Sequence, residues 1–165
     1  MMRYGTLLLA MLVATANGYT QDAADASSGE EVTIVTSDHL TYDAQAQFAL
    51  FEKNVVVTDP QLQLTSDELK LIFDDEGGAK SIEATGNVNI SQGDKKSISG
   101  AATYDVETGK IVLTGKPRVW RGNDVLQGDT ITFWRDRNKL VCEPQAKLVI
   151  FPQKGGAKSQ LFGDE

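Results

Sequence analysis

Four stretches of this chain can be laid over one another, and a chain built that way repeats one supersecondary unit. They read SDHLTYDAQAQFALFEKNVVV, SDELKLIFDDEGGAKSIEATGNVNI, SGAATYDVETGKIVLTGKPRV and GDTITFWRDRNKLVCEPQAKLVI. Each has an extended stretch, an Asp-led turn, a second apolar stretch, a break and a short third stretch. The turn aspartates Asp43, Asp74, Asp105 and Asp136 are each 31 residues apart. An aspartate that opens a turn accepts hydrogen bonds from the backbone amides just ahead of it, so turn chemistry is expected of all four. A catalytic role would need a partnering acid or base, and nothing in the sequence pairs with them.

The spacing inside the copies supports the same reading. Asp38 to Asp43 and Gly100 to Asp105 are five steps each, whereas Asp67 to Asp74 and Asp129 to Asp136 are seven. A gain of two leaves every side chain of an extended strand on its original face, while a gain of one would turn the core outward. Alternation then assigns the faces. Leu40 and Tyr42 share one face, as do Leu69, Leu71 and Phe73, then Ala102 and Tyr104, then Ile131 and Phe133. Phe51, Ile82, Ala84, Ile111, Leu113, Leu140 and Cys142 follow in the return strands, with Phe48 facing outward. Beyond the break come Val55, Val57, Val88, Ile90, Pro117, Val119, Leu148 and Ile150. The break is Gly86 or Gly115 in the inner copies and Lys53 or Pro144 in the outer ones, and a glycine within strand pattern marks a bulge or corner.

SDELKLIFDDE opens like a helix cap, yet it aligns with three plainly extended copies, which outweighs local propensity. The chain is therefore expected to be all-β. Its antiparallel hairpins stack side by side into a long sandwich or jellyroll and not a round barrel. Residues 32–36 and 146–151 are the expected terminal strands, leaving unpaired edges at both ends.

Composition excludes several functions. With 23 acidic and 16 basic residues the net charge is −7, the wrong sign for gripping nucleic acid. The single cysteine, Cys142, excludes an intrachain disulfide and a cysteine-based zinc cluster; it is expected to be a small buried hydrophobe. The single histidine, His39, reads as a solvated strand residue. Residues 103–120 nearly spell a phosphate-binding loop, but five residues separate Gly109 from Gly115, and Pro117 follows Lys116. Proline has no amide hydrogen to offer a phosphate.

The N-terminus carries Arg3, an apolar run from Leu7 to Ala14, and the small-x-small triplet Ala14-Thr15-Ala16. That is the pattern of a cleaved secretory signal covering residues 1–18. No cysteine follows it, so no lipid anchor is indicated. Residues 19–31 read as a flexible lead-in, 32–152 as the folded domain, and 153–165 as a loose tail.

SDHLTYD, LFEKNVVVTD, ATGNVNIS, LTGKPRVW and GDTITFWRDRNKLVC, in that order behind a secretory signal, resemble the LptA/OstA-like family of periplasmic lipopolysaccharide transport proteins of Gram-negative bacteria. The resemblance implies an elongated open β-jellyroll whose greasy groove carries the acyl chains of lipid A, with no catalytic residues, cofactor or metal. The partners it implies are lipopolysaccharide, inner- and outer-membrane proteins with like jellyroll domains, and further copies of the chain joined end to end. The groove positions that match are Tyr42, Phe51, Val55, Val57, Leu69, Leu71, Phe73, Ile82, Val88, Ile90, Tyr104, Ile111, Leu113, Val119, Ile131 and Phe133. The assembly edges are Val32, Ile34, Leu148 and Ile150. Lys95, Lys96, Arg118, Arg121, Arg135 and Arg137 are basic residues for the groove rim or for a solvated face. A competing reading is a secreted carbohydrate-binding or structural β-repeat module. Trp120 and Trp134, on the face opposite Val119 and Phe133, would be its sugar platform.

Overall fold

The computed structural model describes residues 32–60 and 62–151; the expected signal peptide, lead-in and tail lie outside the described residues. Among the described residues twelve β-strands follow one another. They are β1 (Ile34–Thr36), β2 (His39–Asp43), β3 (Phe48–Thr58), β4 (Gln63–Phe73), β5 (Ala79–Gln92), β6 (Lys95–Asp105), β7 (Lys110–Thr114), β8 (Arg118–Arg121), β9 (Asp124–Gln127), β10 (Thr130–Trp134), β11 (Lys139–Glu143) and β12 (Lys147–Val149). All pairings are antiparallel, and SDELKLIFDDE is strand, as its repeat neighbours require.

The single sheet is folded along a seam. The register breaks between Glu52 and Val55, between Thr65 and Glu68, and between Thr85 and Val88. On one side of these breaks the hydrogen-bonded order is β2-β3-β4-β5-β6-β7-β10-β11. On the other side it is β1-β3-β4-β5-β6-β8-β9-β12. The long strands β3 to β6 thus belong to both leaves. One packed cluster draws side chains from both, with Leu69, Leu113 and Ile131 from the first leaf and Val55, Val88 and Leu126 from the second. The leaves therefore face each other over an apolar interior, as an open jellyroll.

The seam has a backbone cause. Each repeat turns the corner through residues in the left-handed region. These are Lys53-Asn54 (φ 63° and 52°), Gly86-Asn87 (74° and 47°), Gly115-Lys116 (76° and 61°) and, in the last copy, Gln145 (59°) after Pro144. Left-handed backbone bends an otherwise flat strand, and Gly and Asn tolerate it best. The expected break at Lys53 is thus a true bulge without a glycine. Facing each corner is the start of a repeat, and the two are tied together. Asp38 N–H donates to the Lys53 carbonyl (3.0 Å), Gly100 N–H to Gly115 (3.1 Å) and Asp129 N–H to Pro144 (3.1 Å). Asn54 and Asn87 donate their side-chain amides to the carboxylates of Asp38 and Asp67, both at 2.8 Å. In the third copy no side chain stands between the chains: a Cβ on Gly115 would lie 2.8 Å from the Gly100 Cα.

The turn aspartates divide. Asp43 accepts from the amides of Gln45 and Ala46, Asp74 from Glu76 and Gly78, and Asp105 from the Thr108 amide and hydroxyl. The Thr108 hydroxyl, with its amide, holds the Asp105 carboxyl below the usual range. Asp136 is different: it pairs with the neighbouring Arg137 at 3.7 Å. Register does not separate them: the row that carries Asp43 and Asp105 passes through Ile72 and Trp134, so Asp74 and Asp136 both stand two residues past the position of Asp43. The two extra residues of the second and fourth copies therefore lie in their turns.

Replacing Gly115 by Ala is expected to cost about 3 kcal/mol, from positive φ plus collision with Gly100. Gly77, with φ +82° and open space around it, is the control and should cost about 1 kcal/mol when changed to Ala. Urea unfolding of both variants checks the pair; equal losses would remove the seam contact from the account.

Candidate functional site

Cross-strand partners share a face, so the registers can be read across the leaves as rows. In the first leaf the row nearest the seam is Leu40, Phe51, Leu69, Ala84, Ala102, Leu113, Ile131 and Cys142. The next row outward is Tyr42, Ala49, Leu71, Ile82, Tyr104, Ile111, Phe133 and Leu140. In the second leaf the facing row is Val35, Val57, Leu64, Ile90, Ser97, Val119, Leu126 and Leu148. Val55, Ser66, Val88, Ser99 and Pro117 fill the seam itself and are buried.

All sixteen residues expected in the groove point into this interior, but they meet four different conditions. Val55, Leu69, Val88, Leu113 and Ile131 are buried and form the closed bottom of the slot. Phe51, Val57, Ile82, Ile90, Ile111 and Val119 are half-buried and pack on that bottom. Leu71, Phe73, Tyr104 and Phe133 are half-buried nearer the mouth. Tyr42 is 54% exposed because β2 is an edge strand with no neighbour beyond it; its ring meets Phe73 edge-on at 6.2 Å. The outer row of the first leaf is thus apolar from end to end and partly wet along most of its length. With eight strands about 4.8 Å apart it runs about 34 Å.

The mouth is asymmetric. On the first leaf it is aromatic and apolar. Arg135 lies over Tyr104, 5.8 Å from the ring centre, and donates to its hydroxyl at 3.0 Å. On the second leaf the residues one step beyond the inner row are polar through its middle, with Asp59, Gln92, Lys95, Arg121 and Asp124, and apolar at Leu62 and Ile150. Asp59 accepts from the Thr33 hydroxyl at 3.0 Å, Arg121 pairs with Asp94 at 3.4 Å, and buried Asp124 accepts the Phe151 amide at 2.9 Å. Of the six basic residues considered for a rim, Lys95, Arg121 and Arg135 stand at the mouth. Lys96 and Arg118 lie on the outer face of the second leaf, and Arg137 sits in an exposed turn.

Alternation alone did not bring out Val35, Ala49, Leu64 and Leu126. Val35, Leu64 and Leu126 each stand three residues before the start of a repeat, just outside the aligned stretches, and Ala49 lies in the first return strand, where alignment placed only Phe51 inside. Phe48 faces outward, as expected, under the Lys70 ammonium at 4.9 Å. Cys142 lines the inner row half-buried, its thiol 3.4 Å from the Gln127 carbonyl; burial first, then Asp129, pushes its pKa up, away from reactivity. His39 is exposed on β2, 3.9 Å from Glu52. Among the described residues no cluster of His, Cys, Asp or Glu could hold a metal ion. The terminal strands are shorter than expected. Ile34 and Leu148 lie in β1 and β12, but Val32 and Ile150 fall outside any strand. Each end also presents a second edge, β2 or β11, because the sheet is folded and has two leaves to end.

Among the described residues, the two best-formed concavities on the surface lie outside the space between the leaves. One, of about 630 Å³, is on the outer face of the second leaf around Trp120; the other, of about 400 Å³, lies among the turns near Phe73 and Val106.

This architecture has known counterparts. Residues 34–139 match the model of the family described as "LptA/(LptD N-terminal domain) LPS transport protein". The chain belongs to that family. A solved structure of like fold is LptH from Pseudomonas aeruginosa, titled the LptA homologous periplasmic component of the conserved lipopolysaccharide transport device. It aligns with a TM-score of 0.67 and 20% identity over 74% of this chain and 97% of that one. Comparison with curated proteins gave no match. The all-β open jellyroll expected from the repeats is the fold observed.

The closed bottom and the wet row make different energetic demands. Ile131→Ala, at a site 1% exposed, should cost about 3 kcal/mol, and Ile111→Ala, at a half-buried site, about 1 kcal/mol. Denaturant midpoints of the two variants check this; a larger loss at Ile111 would show that the outer row is core.

Proposed function

We propose that the protein is a periplasmic carrier that holds lipopolysaccharide by its lipid A acyl chains between the two leaves. It would pass that lipid from the inner toward the outer membrane. Its neighbours in the bridge would be like-folded membrane-bound partners and further copies of itself. The observation that carries this reading is the half-wet apolar row from Leu71 to Leu140, in a chain of a lipopolysaccharide transport family. A fold that had no further use for these side chains would cover them, since contiguous exposed apolar surface marks a binding site.

The energetics fit a carrier. Each CH₂ taken out of water is worth about 0.8 kcal/mol, so a twelve-carbon chain gains roughly 10 kcal/mol without any polar contact. That grip would trap the lipid at a single site. A row of equal greasiness continued from one copy to the next removes the trap, because each step along it changes little burial. The bottom of the slot is already filled by side chains, so acyl chains lie along the outer row and the leaves part to admit them. The polar lip of the second leaf stays with the headgroup. No phosphate-binding loop is present in the sequence, so the driving force comes from a partner.

Lipid extraction and mass spectrometry of protein purified from the periplasm should find acyl lipid bound. Tyr104→Asp and Ile111→Asp should lower lipid per protein about tenfold or more while secretion and fold persist. Capture at the wild-type level by either folded variant would sink the assignment of the slot. A separate expectation concerns assembly. Leu148→Pro removes a backbone donor from β12 and should shift end-to-end oligomers toward monomer on a sizing column. Unchanged elution would exclude that edge as the contact.

A further inference from the structure

On the outer face of the second leaf, opposite the slot, two rows cross β4, β5, β6 and β8. One contains Thr65, Asn89 and Ile98; its neighbour contains Gln63, Ser91, Lys96 and Trp120. Short side chains, Ser91 and Asn89, stand in the middle, and long ones, Gln63, Lys96 and Trp120, stand around them. That difference in height makes the concavity of about 630 Å³, a size usual for small-ligand clefts. Among the described residues, the side chains of Gln63, Thr65, Ser91 and Lys96 and the indole N–H of Trp120 have no hydrogen-bond partner of their own. Asn89 donates to the Asn87 carbonyl at 2.8 Å, which fixes its amide and leaves the amide oxygen free to accept.

The two tryptophans differ in what covers them. Trp134, on the outer face of the first leaf, has Lys139 at 5.4 Å and Lys110 at 6.0 Å from its ring centre. No cation stacks on Trp120 among the described residues.

We propose that this cleft is a glycan site for uncharged hexose or N-acetylhexosamine units, with Trp120 as its stacking platform. A pyranose ring presents C–H groups of partial positive charge on one face, which suit the negative face of an indole. Its rim of hydroxyls needs groups that both donate and accept, and amides and hydroxyls do both. A phosphate or carboxylate ligand is a poorer fit, since Lys96 is the one cation in the cleft and Asp94 shares the lining. The site is separate from the slot and does not rest on the transport reading.

The test is a titration of the full chain, followed by amide and indole NMR signals, with cellotriose, chitotriose and inorganic phosphate as probes. One or both sugars should shift the signals of Asn89, Ser91, Ile98 and the Trp120 indole. Trp120→Ala should weaken that binding about fivefold or more, and Trp134→Ala should leave it unchanged. No shift with either sugar at a concentration on the order of 10 mM overturns the proposal. So do shifts that survive Trp120→Ala, or phosphate shifting the same signals more strongly than the sugars. Trp120→Ala is on the surface and leaves the interior rows intact, so lipid capture measured alongside reports on the slot independently.

Discussion

Everything in this molecule depends on one backbone corner made four times. Without left-handed residues at Lys53-Asn54, Gly86-Asn87, Gly115-Lys116 and Gln145, the long strands would run straight and the sheet would be a single flat layer. Such a layer would have one greasy face and nothing to cover it. The corner is costly for non-glycine residues, of order 1 kcal/mol or more each, and it persists because cross-strand bonds over-determine it. The aspartates at the start of the repeats supply those bonds, through backbone amides and through the side chains of Asn54 and Asn87. Where the repeat start is Gly100, the two backbones come so close that a side chain on Gly115 would collide and one on Gly100 would be tight.

Once the sheet folds on that line, burial follows a gradient set by distance from the seam. Side chains beside it are sealed from both sides, as Val55, Val88 and Ile131 are. Those one row out have a facing leaf but also reach solvent. The result is a sealed bottom and a half-exposed apolar lip, in place of the uniform core of a closed barrel. The same geometry makes two leaf edges at each end, so an end-to-end neighbour would meet β1 and β2 on one side or β11 and β12 on the other. Closure would abolish these edges; an open jellyroll keeps them and with them the capacity to be extended.

Much of this was legible in the chain. The repeats, the extended state, and the facing of Leu69, Leu71, Ile82, Ile111, Leu113, Ile131 and Phe133 follow from alternation, because a strand has only two faces and the copies agree on which is greasy. The inward place of Phe51, with Phe48 outward, came from aligning the copies. What misled was the spacing of the aspartates. Asp74 and Asp136 keep the 31-residue spacing but fall two residues past the equivalent turn position, where Ile72 and Trp134 stand. Sequence spacing counts residues along the chain, whereas register counts rungs, and the two diverge wherever a turn changes length. Leu126 and Val35 were missed because they stand three residues ahead of the repeat starts, outside the aligned stretches, although their partners Leu148, Val119 and Val57 were placed inward.

By itself, the sequence determined which side chains share a face, because the two-residue period of an extended chain is local. It also determined where each strand breaks, because Gly, Asn and Pro restrict or free the backbone at their own positions. Only the tertiary structure decided which members of the greasy face are sealed and which stay half-wet. That depends on how far each lies from a seam that exists only when four corners line up. It also decided that Trp134 is capped by lysines while Trp120, equally half-buried, has no cation stacked on it, since both are outward aromatics in the sequence and differ only in the strands that happen to flank them.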